Sequence, residues 1–177
     1  MRYFLLFAVL GLALGGCGKE ELSDSPFQAS KPLFTLKETD FVKPTSQLPL
    51  GISERMDTLT TCQVDTVDGR RAVKPVTLRD KKKASFVGWA ANDVKETLPQ
   101  EVFVKLYGPA SVYFKAVPGL SRVDVSQAFK KPALENCGWE AYADLSELPS
   151  GTYYVQVIQV DGRNGTSCDT QRQIILT

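Results

Sequence analysis

The sequence predicts an all-β chain: one antiparallel β-sandwich over residues 51–177, interrupted by a short helical excursion at about 124–131 and preceded by an extended tether. Two observations carry this. Segments rich in Val, Ile, Tyr, Phe, Thr and Trp alternate apolar with polar side chains, as in Val102-Val104-Leu106 and Tyr153-Val155-Val157, the period of a half-buried strand. Turn signals separate them at Asp68-Gly69, Tyr107-Gly108-Pro109, Pro149-Ser150-Gly151 and Asp161-Gly162. Short strands at this spacing over roughly 120 residues fit a sandwich of the immunoglobulin-like kind, long enough to bury a core.

In chain order, strands are expected at Leu59–Val67, Lys83–Ala91, Glu101–Leu106, Ser111–Val117, Trp139–Asp144, Thr152–Val160 and Arg172–Thr177. The exception is "DVSQAFKKPALEN", residues 124–136. There Asp124 or Ser126 is placed to cap a helical turn, Val125, Ala128 and Phe129 fall on one face, and Pro132 ends it.

Residues 1–16 have the layout of a secretory signal peptide: Arg2, an apolar run from Tyr3 to Leu14, then Gly15 and Gly16. The run is too short to span a bilayer as a mature helix. Leu14-Gly15-Gly16-Cys17 resembles the bacterial lipobox, which implies that Cys17 becomes the mature N-terminus, carrying diacylglycerol and palmitate. The alternative is an ordinary thiol. Each acyl CH₂ buried in a bilayer contributes about 0.8 kcal/mol, so a lipidated Cys17 tethers the chain to the membrane without spanning it. Gly18, where Asp would hold a lipoprotein at the inner membrane, resembles an outer-membrane address, with the periplasmic or surface face left open.

Residues 17–50 carry prolines at 26, 32, 44 and 49 and no sustained period, which suits a lipidated N-terminus followed by a flexible tether. Phe27, Phe34 and Phe41, spaced by seven, raise the competing possibility of a docking strip. Removing residues 1–16 takes only Arg2 from the 21 basic side chains and leaves charge balanced against 20 acidic ones. A balanced chain argues against a nucleic-acid partner, and Lys81-Lys82-Lys83, the one basic run, has the character of a solvated turn.

The fragments "CQVDTVDG" (62–69), "VGWA" (87–90), "RVDV" (122–125), "NCGWE" (136–140) and "LPSGTYYV" (148–155) occur in this order. Together they resemble a small all-β module of bacterial lipoproteins and of extracytoplasmic parts of some cell-surface sugar-transfer proteins, matched over residues 59–176. No catalytic activity goes with that module, and none is carried over. The chain departs from it at Cys137, where Ser is usual, which leaves Cys137 as the odd thiol. Cys62 on the first strand then pairs with Cys168 before the last, as export permits. Pairs that use Cys137 are the alternative.

Without a histidine, a Ser-His-Asp or Cys-His relay and imidazole metal sites are excluded. Cys137 would need a lowered pKa to act as a nucleophile, and beside Trp139 it fits a buried inert thiol better. The carboxylate pairs Asp65/Asp68, Glu135/Glu140 and Asp144/Glu147 are candidates for glycoside hydrolysis by type, but they fall in turn-like contexts. "DTVDGR" lacks the oxygen density of a calcium loop. Arg122 and Asp124 form the best polar pair: either a ligand clamp, or a fastener for the excursion, which their place in the recurring frame favours. Trp89 and Trp139 fit core positions better than sugar platforms, leaving Tyr107, Tyr113 and Tyr142 as the expected exposed aromatics. No metal or cofactor is expected. The expectation is a non-enzymatic envelope lipoprotein that binds or scaffolds an envelope protein or a surface glycan; the alternative is an enzyme acting on cell-wall or capsule glycans through paired carboxylates.

Overall fold

The computed structural model describes residues 40–56 and 61–177. The signal, Cys17, Phe27, Phe34 and the tether as far as residue 39 lie outside the described residues. The described chain is mostly β with one short helix. Its strands are β1 (Ser53–Met56), β2 (Thr61–Val67), β3 (Arg70–Arg71), β4 (Val76–Thr77), β5 (Ala84–Ala91), β6 (Glu101–Tyr107), β7 (Ser111–Leu120), β8 (Gly138–Ala143), β9 (Gly151–Asp161) and β10 (Asn164–Leu176), with α1 (Val123–Phe129) between β7 and β8. They join in one sheet in the order β1-β10-β9-β6-β7-β8-β5-β2-β3, with β4 also against β10.

The sheet is mixed, which corrects the antiparallel expectation: β1 and β4 both run parallel to β10. Neither short strand has an apolar alternation to announce it, because each pairs through its backbone at a rim. β10 begins eight residues before its expected start. Its first half, "NGTSCDTQ", looks like a polar loop but pairs with β9 from Asn164 onward. A bulge between Asp169 and Arg172, with Gln171 at φ 56°, interrupts the ladder where the pattern breaks.

β7 links the two halves of the sheet. Its residues from Ser111 to Ala116 pair with β6, and those from Val117 to Leu120 pair with β8. The change falls between Ala116 and Val117, and the β8-paired half carries a bulge between Pro118 and Leu120, where Pro118 has no N–H to lose from a ladder and Gly119 takes φ 102°.

One main core takes side chains from both halves: Val64, Phe86 and Trp139 from β2, β5 and β8, and Val104, Val157 and Ile174 from β6, β9 and β10. The largest of these, Trp139, is fully buried. Its seat is made by Gly88 across the β5–β8 pair, where a Cβ would lie 2.1 Å from the Gln63 carbonyl and 2.6 Å from the Trp139 ring. Cys62 and Cys168 are joined in a disulfide between β2 and β10, strands that are not sheet neighbours, and the bridge spans 106 residues.

Helix α1 covers Val123–Phe129, and a 3-10 turn at Pro132–Leu134 follows it, in place of one helix over 124–131. Lys130 at φ 55° stops the helix before Pro132 is reached. Neither expected cap acts as one: Arg122 is the N-cap, with no side-chain bond to the helix backbone, and the Ser126 hydroxyl donates to the Val123 carbonyl. Val125 is buried and Phe129 half-buried, but Ala128 is exposed, because so short a helix rests on the sheet by a narrow stripe. Val125, Leu134 and Cys137 pack with Ala91 of β5, against Trp89 and Phe129, as a second, smaller core.

Ahead of β1 the chain contacts β8, β7, β6 and β9 in turn. Val42 bridges Ala143 of β8, Thr45 exchanges backbone hydrogen bonds with Tyr113 of β7, and Leu48 and Ile52 pack over Phe103, Ile158 and Val160. Phe41 meets Tyr142 edge-on, with ring centroids 5.8 Å apart.

Candidate functional site

Arg122 sits where β7 gives way to α1, and its side chain is only 10% exposed. Nε and Nη2 donate to the two oxygens of Asp124 at 2.9 and 2.8 Å, while Nη1 donates to Asp65 Oδ2 at 2.6 Å. This is the forked geometry a guanidinium provides and an ammonium does not. Gly138 makes room for the stem: a Cβ there would come within 2.8 Å of Arg122 Cγ. Asp65 lies at the bulge of β2 between Val64 and Thr66, so the fork ties the excursion to β2. Burial alone would lower the pKa of Arg122, but its bonds to Asp124 and the charge of Asp65 outweigh burial and hold it raised. Asp124 is held below the ordinary carboxylate value by its bonds to Arg122. Asp65 goes the other way: burial pushes its carboxyl up more than Arg122 and Arg172 pull it down.

The sequence fragments therefore interlock. Gly88 of "VGWA" seats Trp139 of "NCGWE", Gly138 of the same fragment seats Arg122 of "RVDV", and Arg122 grips Asp65 of "CQVDTVDG". Of the pair expected in the core, Trp139 is fully buried, whereas Trp89 is half-buried and edge-on to Phe129 at 5.6 Å. Cys137 is free and buried, and desolvation pushes its thiol up to about 11, so it is protonated at neutral pH. It belongs to the small core under α1, while Cys62 packs against the main core.

Four further candidate carboxylates have polar partners. Asp68 accepts from the Ser85 N–H and from Arg70, Glu140 accepts from the Tyr142 hydroxyl, Asp144 accepts from the Ser146 N–H, and Glu147 pairs with Lys43. Glu135 is exposed. Among the described residues no group of three or more Cys, Asp and Glu side chains is arranged to hold a metal ion.

A second polar cluster escaped sequence reasoning. Glu54 of β1 accepts from Lys105 Nζ at 2.7 Å, the Tyr113 hydroxyl at 2.9 Å and the Ser167 hydroxyl at 2.6 Å. Burial opposes the charge of Glu54, but the three donors outweigh it and hold the carboxyl below its ordinary value. The cluster fastens β1 to β10, β6 and β7. No local pattern announces it, because its members come from four strands.

Tyr107, Tyr113 and Tyr142, expected on the surface, are all half-buried, and the last two spend their hydroxyls on Glu54 and Glu140. Among the described residues the most exposed tyrosine is Tyr154, at 42%. It lies opposite Tyr107 across the β6–β9 pair, the rings stacked with centroids 5.3 Å apart and planes 22° apart. Gln173 is its neighbour on β10, and Asp169 lies close enough that its charge adds to the effect of burial in raising the Tyr107 pKa. Period two carried a signal for Tyr154: its neighbour Tyr153 is buried, so Tyr154 must face outward. No family model, characterised protein or solved structure matches this chain.

Proposed function

We propose that this chain is a lipid-anchored outer-membrane lipoprotein whose domain, an immunoglobulin-like β-sandwich, is a non-enzymatic binding module for a surface glycan. The lipid anchor rests on the signal layout and Leu14-Gly15-Gly16-Cys17. The sandwich reading is supported by a core shared between the two sheet halves and by Tyr153, whose hydroxyl donates to the Pro149 carbonyl at 2.9 Å, a tie like the tyrosine corner of such folds.

The observation that carries the binding role is the stacked Tyr107–Tyr154 pair on an open sheet face, with the exposed carboxylate of Asp169 and the amide of Gln173 around it. The C–H faces of a pyranose pack on aromatic rings, and its hydroxyls donate to a carboxylate and exchange hydrogen bonds with an amide. The test is titration of the purified chain with envelope glycans. Tyr154→Ala should weaken binding at least about tenfold, on the scale of one lost aromatic contact, while the chain stays folded with a melting temperature lowered by only a few degrees. Unchanged binding in Tyr154→Ala would remove this face from the proposal. Turnover of a glycan by the wild-type chain would favour the carboxylate enzyme instead.

A further inference from the structure

Residues 70–83, "RRAVKPVTLRDKKK", hold seven basic side chains and one acidic one in a chain whose net charge is +1, so the cations are concentrated in one place. The segment is rigidly held. Ala72, Val76 and Leu78 are buried in the main core, Ala72 N–H donates to the Asp65 carbonyl, Leu78 N–H donates to the Ile175 carbonyl, and Arg70 Nη2 donates to the Thr77 carbonyl at 2.6 Å. Those anchors turn the charges outward. Arg71, Lys74, Arg79, Lys82 and Lys83 are exposed and form no ion pair with a described residue. Between them Val73 stands 68% exposed, an apolar side chain the core does not use.

The acidic groups nearby are committed elsewhere. Asp68 bonds Ser85 and Arg70, Asp80 accepts from the Lys82 N–H, and Glu147 pairs with Lys43. Asp144 accepts from the Ser146 N–H.

The place of the segment matters as much as its charge. Val42, in the segment that follows Cys17, accepts at its carbonyl from the Asp144 N–H, and the next residue, Leu145, donates its N–H to the Lys81 carbonyl. The basic segment and the incoming tether thus meet at the same end of β8.

We propose that the Arg70–Lys83 segment is a second membrane contact, laying its cations on the phosphates of an anionic lipid surface with Val73 entering the headgroup layer. This rests on the lipid-anchor reading for its direction: a tether holds the segment at high effective concentration over the bilayer, so weak charge attraction is enough. The acyl chains at Cys17 hold the protein at the bilayer, and the basic segment sets how the domain lies on it.

The test uses the full chain with Cys17→Ser, so that no acyl group contributes, and vesicle co-sedimentation. It should bind phosphatidylcholine vesicles doped with phosphatidylglycerol, ignore pure phosphatidylcholine, and release at high salt. Charge reversal at Arg71, Lys74 and Lys83 together should weaken binding at least about tenfold, and Val73→Ser should weaken it without altering the salt dependence. All four positions are exposed, so unfolding curves should not move. Equal binding to both vesicles, full binding by the reversed variant, or capture by soluble heparin with no vesicle affinity would overturn the proposal. Palmitate labelling of the wild-type chain at Cys17 tests the anchor separately, and either result stands without the other.

Discussion

The two carboxylate clusters do the same job by different routes. Arg122 fastens α1 to the sheet through one partner two residues away and another 57 away. Glu54 fastens β1 through partners 51, 59 and 113 residues away. The first is half local, so Arg-x-Asp stood out as a motif. The second is wholly long-range, and its residues look like ordinary strand and loop side chains. They also differ electrostatically: burial wins at Asp65 and raises its pKa, whereas three donors win at Glu54 and lower it. A carboxylate's response to folding is set by how many donors meet it, as well as by how deep it lies.

The largest expected effect comes from the bond that links the two regions. Cys62 lies on the strand of Asp65 and Cys168 follows Ser167 directly, so the disulfide ties one cluster's strand to the other's. Reducing it should lower the unfolding free energy by about 4–5 kcal/mol in the chain-entropy model, read from urea curves with and without reductant. Cys137→Ser should leave that difference intact; a changed difference would mean the free thiol takes part.

Arg122→Leu comes next. It leaves Asp65 half-buried and uncompensated, and should destabilise by about 3–5 kcal/mol. Arg122→Lys should recover only part of this, since one ammonium cannot serve both carboxylates with the same fork. Glu54→Gln keeps the shape and loses the charge, and should cost about 1–3 kcal/mol. A larger loss from Glu54→Gln than from Arg122→Leu would reverse the ranking of the two fasteners.

The smallest effect is the sharpest discriminator. Asp65 has a raised pKa when folded, so its contribution is fully present below the ordinary value of 3.8 and is lost as pH rises through the raised one. Glu54 has a lowered pKa, so its contribution is present above the ordinary 4.5 and is lost as pH falls through the lowered one. Relative to Asp65→Asn, the wild type should therefore gain stability on mild acidification; relative to Glu54→Gln it should lose it. Slopes of the same sign in the two comparisons would show that the clusters do not differ as described.

What could be read in advance follows the same division between local and distant. The strands from β5 to β9 were legible because each has a buried face, and period two shows in Val102-Val104-Leu106 and Tyr153-Val155-Val157. β1, β3 and β4 were not, because they are short and pair at rims through backbone groups that every residue shares, and the first half of β10 was not, because its polar residues pair through the same backbone groups between β1 and β9. Arg122 and Asp124 could be named as partners, while Asp65 as the third member could not.

Side-chain order alone pointed to the β character and the short helical excursion, through periodicity and spacing. The odd thiol and the pairing of Cys62 with Cys168 came from the resemblance to a recurring module, with pairs through Cys137 as the alternative, and burial was expected of both Trp139 and Trp89. Only the tertiary structure decided that β1 and β4 run parallel to β10, that Gly88 and Gly138 are seats for Trp139 and Arg122, and that the incoming chain meets the basic segment at one end of β8. The physical reason is that hydrophobic pattern selects which face of an element is buried, whereas the neighbour across each contact is chosen by chain topology.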